Sequence, residues 1–270
     1  AGPASLPYAS AVYCMDESTL PENVDGLYAD SGECYAWTAG MGNGRITHIG
    51  ADLHDTDAAW TQLIGSSAAA VCGSQSASTS HPIGTTLFSE DCSVYLLVDS
   101  SIVDMSREGD NTQSEVQSLF PSTTLWTTVE EMQVALTEGL PRKSLVIVPE
   151  QERGSLVSAL GSESVAMLQQ HVQQEEAHLM VLGSNRFWVN HDVEVINAVS
   201  GSWSVAHAGS GIECESESGR VVHRDLGGAG FDAGPASLPY ASAVYCMDES
   251  TLPENVDGLY ADSGECYAWT

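Results

Sequence analysis

Three stretches hold side chains suited to chemistry. The run Asp52-Leu53-His54-Asp55-Thr56-Asp57 sets three carboxylates close together, and hard cations such as calcium need several oxygen ligands at once. Asp52, Asp55 and Asp57 are therefore candidate metal ligands. The run lacks the EF-hand spacing and its glycine, and the competing reading is a solvated turn in which an Asp caps the following helix. Glu150 and Glu152 follow Pro149 at the end of an apolar run, where open α/β sheets hold their ligands; a turn cap or a partner for Arg153 is the alternative. Ser184 lies in Gly183-Ser184-Asn185, a turn of the kind that presents a nucleophile. No G-x-S-x-G surrounds it, spacing assigns it no histidine and acid, and capping the next helix is the plainer role. The expectation is thus of no catalytic residue, with Ser184 the one candidate. Among the histidines, His48 alternates within a strand, His171 and His178 flank a helix end, and His54 sits in the acidic run.

The cysteines are Cys14, Cys34, Cys72, Cys92, Cys214, Cys246 and Cys266. None has CxxC or Cys/His zinc spacing, so disulfides are favoured over metal. Cys14 with Cys34, their copies Cys246 with Cys266, and Cys72 with Cys92 are the candidate bridges. Cys214 is left over, either free, paired in another connectivity, or bridging to a neighbouring repeat. Disulfides imply an oxidising location, extracellular or at the cell surface. With 37 acidic residues against 8 basic ones, the net charge is −29, which repels phosphate backbones and anionic membranes and attracts cations. Nucleic acid is therefore excluded as a partner. No apolar stretch is long enough to span a bilayer, which excludes membrane insertion. No basic-then-apolar start is seen, so the natural N-terminus is expected elsewhere. No cofactor is expected beyond calcium at the acidic run.

Ala1–Thr38 and Ala233–Thr270 are identical, which sets a period of 232 residues. Such a period is far longer than a solenoid unit, so each repeat is read as a whole domain in a tandem array; the competing reading is an artificial overlap. Residues 1–72 are then the C-terminal part of one repeat, 73–92 a Ser/Thr-rich linker whose hydroxyls suit glycans, and 93–270 the body of the next repeat without its closing segment. The two copies are expected to fold alike in different surroundings. Tyr8, Tyr13, Tyr28, Tyr35 and Trp37 in the copied segment suit packing beneath a stapled extension or contact with the next repeat.

The elements that must position these residues follow from pattern. Val94–Val98, Ser144–Val148 and His178–Leu182 are short continuous apolar runs, as in strands buried on both faces. Thr123–Trp126 and Arg45–Ile49 are further strands. Helices are predicted at 115–120, stopped by Pro121, at 128–137, opened by a Thr128/Glu131 capping box, and at 154–160 and 162–174; residues 193–199 suit helix or strand. The alternation implies a mostly parallel sheet with helices on both faces, followed from residue 201 by a β-rich, disulfide-stapled extension.

In circular order, these parts resemble a class I glutamine-amidotransferase-like domain (flavodoxin-like α/β) of the kind repeated in large secreted bacterial and algal surface proteins. The resemblance rests on VIVPEQERGSLVSALGSESVAMLQQHVQQEEAHLMVLGS (146–184), on AGPASLP with ESTLPENVDGLYAD, and on GNGRITHIGADLHDTDAAW, about half of the period. The family's nucleophilic cysteine belongs at Gly183-Ser184-Asn185, where this chain has none. The resemblance therefore implies a decayed enzyme scaffold and no enzyme activity. The expected function is that of a structural repeat unit of an extracellular filament or long surface protein, with neighbouring copies of the same repeat as partners. An adhesion or carbohydrate-binding module and a hydrolase or amidotransferase-like enzyme using Ser184 or a carboxylate pair are the alternatives.

Overall fold

The computed structural model describes residues 15–16, 19–21, 24–30, 33–50, 53, 61, 64–65, 67–68, 72, 92–106, 108–183, 191–206, 247–248, 258–262 and 265–269, with backbone alone for residues 15–36 and 247–269 where these are strands. Eleven strands form one sheet: β1 Met15–Asp16, β2 Val24–Asp30, β3 Glu33–Met41, β4 Gly44–Ile49, β5 Ser93–Leu97, β6 Thr124–Trp126, β7 Ser144–Val148, β8 His178–Leu182, β9 Met247–Asp248, β10 Gly258–Asp262 and β11 Glu265–Trp269. Four helices have described ends: α1 Glu108–Leu119, α2 Val129–Glu138, α3 Leu156–Gln174 and α4 His191–Ser200.

The parallel half of the sheet runs β4-β8-β7-β5-β6. Every residue of β7 and β8 is buried, the pattern of strands with both faces covered. Leu96, Leu145, Ile147, Leu179 and Val181 form the centre of the core. The chain leaves β5 for β6 on one side and returns to β7 on the other. With right-handed crossovers, this reversal puts α1 on one face and α2 and α3 on the opposite face. The protein is an α/β fold, as the alternation predicts. Residues 193–199 resolve as helix, and α1 begins seven residues earlier than the predicted 115, at Glu108. Its sequence EGDNTQSE has no apolar period to announce it.

Local signals hold the helices in place. The Thr128 hydroxyl accepts the Glu131 N–H at 3.3 Å, and the Glu131 carboxylate accepts the Thr128 N–H at 3.3 Å, which closes the capping box. Ser155 caps α3 through the Ser158 N–H at 3.1 Å. The two helices predicted at 154–160 and 162–174 join across a kink at Gly161, whose φ of 72° suits glycine.

Strand β4 joins the parallel half to the antiparallel half, β10-β11-β2-β3. It pairs antiparallel with β3 and parallel with β8, Ile46 opposite Leu179. Residues from both of the pieces expected on either side of the linker therefore share one sheet. A disulfide joins Cys72 to Cys92, with Cα atoms 5.3 Å apart; it closes the Ser/Thr-rich segment as the spacing suggests. Cys14, Cys214 and Cys246 lie outside the described residues, and the side chains of Cys34 and Cys266 are likewise not described.

Candidate metal centre

In a doubly wound sheet the crevice for ligands opens at the carboxyl ends of the strands where the chain reverses. That point lies here between β5 and β7. The segment after β5 is Val98 to Ser106, leading to Glu108 at the start of α1; the segment after β7 is Pro149 to Ser155. Hydrogen bonds stitch the two together. The Arg153 N–H donates to the Ile102 carbonyl at 2.9 Å, and the Arg153 guanidinium donates to the Asp104 carboxylate at 2.8 Å. Gly154 passes so close to the Ser101 carbonyl that a Cβ there would lie 2.9 Å from its oxygen.

Glu108, Glu150 and Glu152 meet at this junction. A carboxylate oxygen from each lies within 4.8 Å of the others; Glu108 and Glu150 are buried and Glu152 half-buried. Ionised carboxylates so close would repel one another in a poorly solvated site, and a cation among them would reverse the sign of the interaction. The donors are all oxygens, the set that hard divalent ions favour, whereas zinc favours nitrogen and sulfur alongside oxygen.

The surroundings are polar and ordered. Gln151 is fully buried; its Oε1 accepts the Leu156 N–H at 2.8 Å, and its Nε2 meets no acceptor among the described residues. The Gln151 carbonyl lies 2.9 Å from His191 Nδ1. A carbonyl only accepts, so Nδ1 carries the hydrogen, which leaves Nε2 as the ring's second nitrogen away from that bond. Asp99, two residues past the end of β5, accepts from the Ser101 N–H at 2.8 Å, the Ser101 hydroxyl at 2.7 Å and the Val129 N–H at 2.8 Å. Burial pushes its carboxyl up, but the Ser101 and Val129 hydrogen bonds together outweigh this and hold it below the ordinary value. Asp104 is held low as well, first by the Ser106 N–H and hydroxyl, with Arg153 adding to them against a small effect of burial.

Of the residues singled out in the sequence, the structure brings Glu150 and Glu152 together and adds Glu108 and His191. Glu108 was hidden in a polar stretch whose helix has no apolar period. His191 is identified only by its contact with Gln151. Asp52, Asp55, Asp57 and Ser184 lie outside the described residues.

Among the described residues, His48, His171 and His178 are buried. His48 Nε2 lies 3.1 Å from Asp192 Oδ2, both side chains fully buried, and the His48 ring stacks on Trp37. His178 belongs to a hydroxyl relay. Thr38 donates to the Ile46 carbonyl at 3.3 Å and Thr47 donates to Thr38 at 2.9 Å, so His178 Nε2–H donates to Thr47 at 2.6 Å. Burial, with Arg45 nearby, pushes His178 down to about 3. His171 is also held low by burial, against the opposing charge of Glu175.

No family model matches the chain, and no curated protein matches it. Among solved structures it is similar to the IMPa metallopeptidase in complex with T-antigen, at 15% identity and a TM-score of 0.44, over 77% of this chain. It is similar also to IMPa from Pseudomonas aeruginosa in complex with an O-glycopeptide, at 15% identity and a TM-score of 0.42, over 75% of this chain. The chain spans 20% of the length of each of these solved chains. Two expectations are corrected here. The readings as a non-catalytic structural unit of a filament and as no enzyme are not upheld: the structures found are of the IMPa metallopeptidase.

Proposed function

We propose that this domain binds a hard divalent cation through Glu108, Glu150 and Glu152 and, with it, an oxygen-rich ligand at the switch point of the sheet. The observation that carries the proposal is the meeting of three carboxylates, two of them buried, within 4.8 Å where the chain reverses. Calcium fits best, since it takes several carboxylate oxygens in flexible geometry. The cation would polarise a bound carbonyl or similar oxygen. The chain's own part is to hold the carboxylates against their repulsion, which the Arg153 bridge between the two segments does.

Isothermal titration of the full chain with calcium tests this. One ion is expected per site, with affinity weakened at least tenfold in Glu150→Gln and unchanged in Asp55→Asn. Binding lost in Asp55→Asn and kept in Glu150→Gln would move the site to the acidic run and overturn the proposal.

A hydrolytic role is the second reading, and His191 favours it. With Nδ1–H tied to the Gln151 carbonyl, Nε2 is oriented to take a proton from water. A chelator-sensitive hydrolysis abolished in His191→Gln, with cation affinity retained, would support it; loss of the affinity itself would make His191 part of the cation site instead. The disulfide supports an extracellular location, and the strand order is compatible with kinship to amidotransferase-like domains.

A further inference from the structure

The two copies of the 38-residue segment build the same ladder. Gly26↔Trp37, Tyr28↔Ala36, Ala29↔Cys34 and Asp30↔Glu33 in the first recur as Gly258↔Trp269, Tyr260↔Ala268, Ala261↔Cys266 and Asp262↔Glu265 in the second. The short flanking strand recurs too: Met15↔Cys34 and Asp16↔Glu33 in the first, Cys266↔Met247 and Glu265↔Asp248 in the second. What differs is the far edge of the inner strand. In the first copy, β3 gives that edge to β4, starting at Ala36↔Ile49. In the second, β11 gives the equivalent edge to β2 of the first copy, antiparallel, with Tyr267 opposite Ala29.

We propose that the outer edge of β2 is a recognition edge for another copy of this same segment, which docks by adding its Glu265–Trp269 strand to the sheet. One strand sequence thus accepts either of two antiparallel partners, its own closing strand or the β2 of a neighbouring copy. The contact is heterologous, β11 of one hairpin on β2 of the other, so the two copies are not interchangeable within it. Backbone hydrogen bonds supply the affinity, as in strand addition generally, and the docked strand protects a β2 edge that would otherwise stay open.

Hydrogen exchange read by mass spectrometry on the full chain tests the proposal. Tyr267→Pro puts a residue without an N–H in the middle of the docking strand. Protection of the 24–30 amides is expected to fall at least tenfold, while that of 144–148 and 178–182 stays unchanged. Unchanged protection of 24–30 overturns the proposal. Should Tyr267→Pro loosen 144–148 as well, a chain shortened to end at Ser263 gives the same reading: exposure confined to 24–30 supports docking, and retained protection there refutes it. The result is independent of cation binding, so it stands or falls separately from the metal centre.

Discussion

At Asp99, one carboxylate terminates β5 and anchors the first N–H of α2. Asp99→Asn keeps the shape but weakens charge-assisted bonds, so a loss of about 1–2 kcal/mol is expected in urea unfolding. His178 gives a pH signature. Its value is depressed from 6.5 to about 3 in the fold, so below pH 6.5 the unfolded chain binds the proton that the folded chain refuses. The His178 contribution is complete above pH 6.5 and is lost as pH falls toward 3, with a slope approaching about 1.4 kcal/mol per pH unit. His178→Gln, which can still donate to Thr47, should flatten that part of the stability profile; an unchanged profile would mean the imidazole is not the group responsible. Residue types alone marked Glu150 and Glu152, because the carboxyl end of an apolar run can be read locally. They did not mark Glu108, forty-odd positions away, because only the crossover from β5 brings it to the end of β7.

The elements were legible to the degree that they are apolar and regular. The runs at 144–148 and 178–182 read as buried strands because both faces are covered, and the capping box fixed the start of α2. The polar half of α1 had neither signal. The antiparallel strands of the copied segment were only a β-rich texture, since their pairing is set by partners distant in sequence. Close approach supports two element-scale predictions. A Cβ at Gly44 would lie 2.1 Å from the Val172 carbonyl oxygen and 2.2 Å from that of Ala177, so Gly44→Ala forces β4 away from the end of α3. A destabilisation of several kcal/mol, on the order of 2–4, is expected by thermal unfolding. Replacing Cys72 and Cys92 with alanine opens a loop of sequence separation 20, and a loss of about 3 kcal/mol is expected by denaturant titration. An equal stability of the two proteins would show that the bridge constrains nothing in the unfolded chain.

At the scale of the molecule, the duplication and the parallel sheet meet at β4, which closes the copied hairpin on one side and the α/β core on the other. The net charge of −29 favours cations over anions at the protein surface in general. A local run of carboxylates such as Asp52, Asp55 and Asp57, which lies outside the described residues, is visible in sequence, and a junction of two crossovers such as that of Glu108, Glu150 and Glu152 is not. The most direct test of the metal centre is anomalous diffraction from crystals grown with terbium, which substitutes for calcium. The account predicts the strongest anomalous peak within bonding distance of the carboxylates of Glu108, Glu150 and Glu152. A strongest peak at the acidic run, or none at the trio, would contradict it.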